Sequence, residues 1–455
     1  MKATRIMVYS HDAFGLGNLR RMLAICEHLL DSWSELSVLL VSGSPMIHEF
    51  RLPKGLDYIK LPCLNRGLSG ELSAKYLGTS AQETVALRSQ LIHSAAVHFK
   101  PHLLLVDKKP TGLQGELSAT LNYMRKELAD SKCVLLLRDI LDAPKKTISE
   151  WRRYGYYQTI QSFYDRVLVV GMQAVFDLVQ AYRLPLPVAR KVYYCGYIRK
   201  PETLRKGGVN VRSQLGLNAA DRLVLVTPGG GEDGYSLVHT YLSGLQQLER
   251  SGGWQMEGQQ IEEQQNGLVY SLILSGPEMP SELSQQLQQV ADSCSSRIVL
   301  QSFTREILPY LQSADTVVSM GGYNTLTEIL ALRKRAVVLP RTQPSKEQLI
   351  RASRFAKREW ITTLNAQQAT PAALMQAVLN ELNHRGLAPN TVNFEGLARV
   401  ADHLRALISP TRPVLGTTNS HAGDSRTTKL SSSTSSSLLS SPASPPLSSS
   451  QYAIA

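Results

Sequence analysis

The chain has 455 residues, of which 43% are hydrophobic, so it is long enough for two or three domains with separate cores. No apolar run approaches the roughly 20 residues that a membrane-spanning helix needs. The five scattered cysteines argue against a disulfide framework or a zinc site, and the first residues enter a strand pattern without a secretory signal, so we expect a cytoplasmic protein.

Positive charge is concentrated in the first half of the chain. Residues 1–200 contain 27 Lys and Arg against 17 Asp and Glu, a net +10, whereas residues 201–408 contain 19 of each. Such a basic surface could bind an anionic membrane, a phosphorylated substrate or nucleic acid. The alternative is that it is solvated and binds no partner. The Trp and Tyr beside Lys and Arg in residues 145–157 favour peripheral membrane contact or core packing. No nucleic-acid motif occurs, so nucleic acid is the least expected partner.

The first predicted strand, residues 5–10, runs into a glycine-containing loop and then into a helix. His11 and Asp12 follow the carboxyl end of that strand, which is the edge where open α/β sheets bind ligands. Either side chain could act as a general base toward a hydroxyl group. The alternative interpretation is a histidine that only braces the loop.

Later strands of the first half end in charged residues. Asp107 and the pair Arg138-Asp139 follow apolar runs. At these strand ends they could line an acceptor pocket. For each site taken by itself, a salt-bridged surface loop is the simpler explanation. Beyond them Gly207-Gly208 interrupts any regular element. We therefore assign the first domain to residues 1–200 and a hinge to residues 201–220.

The second half opens with an apolar strand at residues 223–227, followed by three successive glycines. Gly229, Gly230 and Gly231 leave backbone N–H groups free to cradle a phosphate. The stretch has neither the Walker Gly-Lys-Ser/Thr ending nor the spacing of a dinucleotide fingerprint. It predicts a phosphate site of another kind.

A second glycine turn follows the predicted strand at residues 316–319. Gly321-Gly322 allow the backbone to approach a ligand closely. Asn324 and Thr325 begin the next helix, whose free N–H groups and positive dipole end suit an anion. Glu328, one turn inside, can accept hydrogen bonds from a vicinal diol such as a ribose. An ordinary strand-to-helix turn is the alternative.

These motifs resemble the GT-B glycosyltransferases. Residues 314–330 resemble their donor-nucleotide signature, most closely in the MurG-like branch, which contains the lipid-linked N-acetylglucosamine transferase of peptidoglycan synthesis and a set of uncharacterised predicted glycosyltransferases. The resemblance covers about residues 1–408 and is stronger in the second domain, residues 221–408. It implies an α/β fold with two doubly wound Rossmann-like domains facing a cleft.

The resemblance implies roles for further residues of the second domain. It places the backbone near Phe303 at the edge of the uracil ring. It places Glu347 and Gln348 at the hydroxyl groups of the donor sugar. Arg351 stands where the family usually has Asn.

In the first domain the family typically has a Gly-His pair, and this chain has Gly17 and Asn18 in its place as the implied nucleotide-sugar contacts. An asparagine exchanges hydrogen bonds but cannot accept a proton at neutral pH. The base would then have to be His11 or Asp12, or the protein is not catalytic.

The implied activity is inverting transfer of a sugar from a UDP-linked donor to an unknown acceptor hydroxyl, on an acceptor that could be lipid-linked or anionic. Backbone N–H groups and helix dipoles would stabilise the leaving diphosphate, and no Asp-x-Asp motif occurs, so neither a metal nor another cofactor is expected. A nucleotide-sugar hydrolase or epimerase and a non-catalytic nucleotide-sugar binding protein remain as alternatives.

Residues 409–455 are rich in Ser, Pro and Thr. Such a composition cannot bury enough apolar surface to offset the entropy of ordering the chain. It predicts a disordered C-terminal tail outside the fold.

Overall fold

The computed structural model describes residues 3–11, 17–66, 71–199, 210–230, 233–254, 267–304, 306–365, 368–384, 386–388 and 391–408. Residues 201–209 of the predicted hinge, the predicted tail, and the candidate residues Asp12 and Gly231 lie outside these ranges. No helix in the described ranges is long and apolar enough to cross a membrane.

The first lobe is built on a seven-stranded parallel sheet whose apolar strands are buried on both faces. The strands of this lobe are β1 Thr4–Ser10, β2 Leu36–Ser42, β3 Leu56–Lys60, β4 Leu64–Arg66, β5 Leu72–Ala74, β6 Leu103–Asp107, β7 Lys132–Arg138, β8 Arg166–Val170 and β9 Val192–Tyr194. Of these, β4 and β5 form a small antiparallel hairpin apart from the seven-stranded sheet. Its helices are α1 Gly17–Ser32, α2 Ala81–Phe99, α3 Ser118–Glu127, α4 Pro144–Arg153, α5 Tyr156–Phe163, α6 Leu178–Ala181 and α7 Leu186–Ala189.

The second lobe is built on a six-stranded parallel sheet. Its strands are β10 Arg222–Thr227, β11 Val269–Leu274, β12 Arg297–Gln301, β13 Thr316–Ser319, β14 Arg335–Val338 and β15 Thr362–Thr363. The remaining helices are α8 Val211–Gln214, α9 Tyr235–Arg250, α10 Ser281–Asp292, α11 Leu308–Ser313, α12 Tyr323–Ala331, α13 Glu347–Ala356, α14 Pro371–Asn383 and α15 Gly396–Ile408.

Both sheets are doubly wound. The strand order is β3-β2-β1-β6-β7-β8-β9 in the first sheet and β12-β11-β10-β13-β14-β15 in the second. The direction of winding reverses between β1 and β6, and again between β10 and β13. Such a switch point leaves a crevice outside the carboxyl ends of the strands, where α/β proteins bind ligands. The predicted fold class, two Rossmann-like α/β units, is confirmed.

The start of α2 shows how local sequence sets an element. The Ser80 hydroxyl accepts a hydrogen bond from the Glu83 N–H at 3.1 Å, and the Glu83 carboxylate accepts one from the Ser80 N–H at 2.9 Å. This reciprocal cap satisfies two donors that the first turn leaves unpaired. Further along α2, buried Arg88 forms a two-point ion pair with Glu116 at 2.6 and 2.7 Å.

The last helix, α15, packs on the first lobe, although it follows the second sheet in sequence. Its apolar face, which includes Val400 and Leu404, meets α1. Arg166 on β8 donates to the His403 carbonyl at 2.9 Å, and the Gly396 N–H donates to the Tyr197 carbonyl at 3.1 Å. The chain therefore returns to its first lobe before residue 409.

We expect Gly396→Ala to destabilise the protein by about 1–3 kcal/mol, because an added methyl group would force backbone to move. A Cβ atom at Gly396 would lie 2.6 Å from the Tyr197 carbonyl oxygen. Gly78→Ala is the matched control, since a Cβ atom there meets nothing within 4 Å. Urea unfolding followed by circular dichroism measures both, and equal stabilities would contradict this account of the α15 contact.

Candidate active site

The carboxyl edges of the two sheets face each other. The Asn324 side-chain amide at the start of α12 donates to the Gly17 carbonyl at the start of α1, at 2.9 Å. The Tyr323 hydroxyl donates to the Val170 carbonyl at the end of β8, also at 2.9 Å. The N-termini of α1 and α12 therefore meet across one cleft, with their positive dipole ends on the same side.

The turn between β13 and α12 presents an open helix N-terminus. Gly321 has a φ of +84°, in the region that favours glycine. Gly322 is the N-cap residue of α12 and makes no side-chain cap, and a Cβ atom built on it would meet nothing within 4 Å. Within the described ranges, no side chain caps the first N–H groups of α12 at this point, as a bound anion requires. Thr325, half-buried, lies in the same first turn.

The turn after β10 lies beside it, because β10 and β13 are neighbouring strands. Gly229 has a φ of +98°, and a Cβ atom there would again meet nothing within 4 Å. The Gly230 carbonyl accepts a hydrogen bond from the Glu278 N–H at 2.9 Å, which fixes the turn. Two glycine turns therefore share the switch point of the second sheet.

Glu328, one turn into α12, is half-buried and faces α1. Burial lowers the pKa of Arg20 on α1, and the Glu328 carboxylate opposes that shift. The proposed ribose anchor thus lies close to a cation of the first lobe.

Phe303 and Gln348, two residues to which the resemblance assigns roles near the glycine turns, differ in exposure. Phe303, in the loop after β12, is 37% exposed. Gln348 is buried, and its side-chain oxygen accepts from the Arg341 N–H at 3.2 Å. The Gln348 carbonyl lies 3.8 Å from the position of a Cβ atom on Gly321, so Gln348 borders the turn between β13 and α12.

Arg351 on α13 is fully buried and joins the two lobes. Its guanidinium donates to both carboxylate oxygens of Asp139, at 2.9 and 2.7 Å, and to Glu347 at 2.8 Å. It also donates to the Gly321 carbonyl at 3.3 Å. The second oxygen of Glu347 pairs with Arg138 at 2.7 Å. We call these four residues, Arg351, Asp139, Glu347 and Arg138, the interlobe ion network.

The interlobe ion network gives Glu347 a different environment from the predicted one. Burial by itself would raise the pKa of Glu347, but Arg138 and Arg351 lower it to about 2. Both oxygens of this carboxylate already accept from arginines. Glu347 links the two lobes in this structure, and its contact with the donor sugar, which the resemblance implies, stays a prediction.

His11 lies at the end of β1, at the switch point of the first sheet. Its side chain is buried, and its Nδ1 atom has no hydrogen-bond partner in the described part of the chain. Burial, followed by the charges of Lys108 and Lys109, lowers the pKa of His11 well below its usual range. The imidazole is therefore uncharged at neutral pH and can accept a proton.

Asn18 braces this edge and does not open onto the cleft. Its side-chain nitrogen donates to the His11 carbonyl at 2.6 Å, and its oxygen accepts from Arg21 at 3.1 Å. Arg21 also pairs with Asp107 at 2.7 Å. Asn18 thus fixes the backbone of His11.

The explanation of Asp107 and Asp139 as surface-loop residues is wrong, because each is only 1% exposed. Asp107 ends β6 and Asp139 follows β7, both at the cleft edge. An arginine from another element pairs with each of them. Arg21 reaches Asp107 from α1, and Arg351 reaches Asp139 from the opposite lobe. The sequence showed the acids at the strand ends but not their partners.

The mouth of the cleft is a cavity of about 650 Å³ between the start of α4 and the loop after β14. The Lys146 ammonium donates to the Pro344 carbonyl at 2.8 Å, and the Lys346 N–H donates to the Asp142 carboxylate at 2.9 Å. Lys145 also lines this cavity. The mouth is therefore bordered by both lobes and is rich in lysine.

Comparison with known proteins agrees with this arrangement. Residues 229–404 match the glycosyltransferase family 28 C-terminal domain, and no curated protein matches the sequence. The chain is a GT-B glycosyltransferase. This glycosyltransferase carries the matched family 28 domain in its second lobe, where both glycine turns lie.

Solved structures share the fold at low sequence identity. MurG of Acinetobacter baumannii is 10% identical, with a TM-score of 0.53 over 88% of this chain and 99% of its own. The glycotransferase of kitacinnamycin is 13% identical, with a TM-score of 0.55 over 90% and 100%. A putative UDP-N-acetylglucosamine 2-epimerase from Listeria monocytogenes is 11% identical, with a TM-score of 0.59 over 90% and 98%.

We expect Arg351→Met to destabilise the glycosyltransferase by about 3–5 kcal/mol, because it leaves buried Asp139 and Glu347 without their shared cation. Arg354→Met, three residues further along α13, is the control, since that side chain is exposed. Its expected effect is within about 0.5 kcal/mol. Chemical unfolding at neutral pH compares the two variants, and a small effect of Arg351→Met would rule out a stabilising role for the network.

Proposed function

We propose that this glycosyltransferase moves a sugar from a UDP-linked donor to an acceptor hydroxyl, with inversion and without a metal. The observation that carries the proposal is the pair of glycine turns at the switch point of the second sheet, which face the N-terminus of α1. Together they form a cradle for the donor, lined by backbone N–H groups.

The donor is proposed to lie along the second lobe. Its diphosphate contacts the turns at Gly229 and Gly322, where a ligand finds open space next to the backbone. Its ribose donates hydroxyl hydrogen bonds to Glu328, and its uracil ring lies against the backbone near Phe303. Gln348 borders the donor turn on the side of the sugar.

The chemical step is a single displacement. His11 removes the proton from the acceptor hydroxyl, and the oxygen forms a bond to the anomeric carbon. The bond between that carbon and the diphosphate oxygen breaks, and UDP leaves with the electron pair. Attack from the face opposite the leaving group inverts the configuration. The N–H groups of the glycine turns and the α12 dipole stabilise the departing charge, which is the task a metal ion performs elsewhere.

The acceptor is proposed to approach the basic first lobe through the lysine-rich mouth of the cleft, with a peripheral membrane contact nearby. Tyr154, between α4 and α5, is 48% exposed beside Arg153 and Lys109. Most other aromatic residues of this segment are core: Trp151 and Tyr156 are each 4% exposed. We expect salt-sensitive cosedimentation with vesicles containing an anionic lipid. Equal retention by neutral vesicles, or none by either, would contradict the contact.

The donor site is tested by calorimetric titration with UDP. We expect saturable binding that Glu328→Ala weakens roughly tenfold to a hundredfold, because a charged acceptor of ribose hydrogen bonds is lost. Glu282→Ala is the control, since Glu282 lies in the first turn of another helix, α10, and is exposed. His11→Gln is expected to keep UDP binding and to abolish transfer.

Three results of the same study would overturn parts of the proposal. Absence of UDP binding would remove the donor assignment and make the glycine turns ordinary features of the fold. Release or epimerisation of the sugar from UDP-N-acetylglucosamine without any acceptor would favour a hydrolase or an epimerase. Tight UDP binding with no turnover of any kind would favour a nucleotide-sugar binding protein.

A further inference from the structure

We propose that the carboxyl ends of β1, β6 and β7 form a binding site for an oxyanion carried by the acceptor, with Lys108 as its charged contact. The proposal rests on the transfer reaction proposed above and names the chemical class of its acceptor. The oxyanion is a phosphate or a carboxylate group.

The site is brought together by strand order. His11 follows β1, Lys108 follows β6, and Arg138 ends β7, and these three strands are neighbours in the sheet. The edge includes the switch point between β1 and β6, where a crevice opens. The three residues lie far apart in sequence, so the sheet alone makes them a cluster.

The charges at this edge do not balance. Each of the three carboxylates that the structure describes at this edge has an arginine partner, in the pairs Asp107–Arg21, Asp139–Arg351 and Glu347–Arg138. Lys109 pairs with Glu150 at 2.7 Å. Within the described ranges, the Lys108 ammonium has no such ion pair and no side-chain hydrogen bond. Among the described residues of this edge, the positive charge of Lys108 is thus left for a ligand.

Buried polar atoms beside Lys108 also lack partners in the described part of the chain. They are the Nδ1 atom of His11, whose side chain is 4% exposed, the Nε atom of Arg138, and the Oδ2 atom of Asp107, which is an acceptor. A buried polar atom without a partner costs about 1–3 kcal/mol. In addition, the Lys108 backbone has a φ of +71°, a conformation that residues other than glycine rarely adopt. Such strained backbone conformations are enriched at functional sites. An oxyanion would accept hydrogen bonds from the His11 and Arg138 nitrogen atoms, whereas the Asp107 oxygen has none to donate.

Because its surroundings lower the pKa of Lys108, anion binding should be accompanied by uptake of protons by Lys108. Burial, then Arg138 and Lys109, lower the pKa of Lys108 to about 8, against the opposing charges of Glu347 and Asp107. Neutral His11 adds no charge to this group. A bound oxyanion stabilises the ammonium form and raises the pKa. At pH 8, where Lys108 is about half protonated, binding should therefore take up roughly half a proton.

The test uses the full chain saturated with UDP, so that the donor cradle is occupied. Inorganic phosphate is titrated by calorimetry at pH 8 in two buffers that differ in ionisation enthalpy, and acetate is titrated in parallel. We expect saturable phosphate binding with proton uptake. Lys108→Met should weaken it at least tenfold and abolish the uptake, whereas Lys108→Arg should retain binding. Exposed Lys75→Met is the control.

The outcomes separate this inference from the proposed function. Phosphate binding above acetate assigns a phosphate-bearing acceptor, and the reverse order assigns a carboxylate. Absence of both, or binding with equal proton uptake in Lys108→Met, overturns the oxyanion site. UDP binding in the same samples reports independently on the donor site and on the folding of each variant.

Discussion

The ion pair between Arg351 and Asp139 is the constraint on which the cleft depends. A guanidinium that is fully buried loses its hydration, and only well-aligned carboxylates can offset that loss. Asp139 accepts two hydrogen bonds from it, and Glu347 accepts a third. Because Arg351 belongs to the second lobe and Asp139 to the first, the charges are satisfied only when the two strand edges face each other.

The position of the candidate site follows from this constraint. With the edges aligned, the glycine turns at the second switch point lie opposite the N-terminus of α1, and His11 lies at the first switch point. Arg351 also contacts the Gly321 carbonyl at 3.3 Å, so the ion network is directly connected to the turn between β13 and α12. The proposed nucleotide site and the ion network therefore share the Gly321 backbone, so we expect a change in one to affect the other.

The sequence predicted the local features well. The glycine turns, the start of α12 and the strand that precedes it depend on residues within one short stretch, where turn and capping chemistry act directly. The same reasoning placed charged residues at the ends of β6 and β7. It could not supply their partners, because Arg351 and Asp139 are 212 residues apart and nothing in either stretch specifies the other.

The same limit explains the other differences. Glu347 was assigned to the sugar by resemblance, yet the arginine four residues later, at a position where the family usually has Asn, draws it into the ion network. The return of α15 to the first lobe depends on apolar packing against α1, which no local pattern encodes. Residues fixed by short-range chemistry were predictable, and those fixed by contacts between the lobes were not.

The most direct test of the central claim is amide hydrogen exchange, measured with and without UDP. If the two glycine turns form the donor cradle, UDP will slow exchange at residues 229–230 and at the first turn of α12, residues 322–326. The last turn of α10, residues 289–292, lies at the far end of a helix of the same lobe and will be unchanged. Protection elsewhere with none at these two turns would contradict the account.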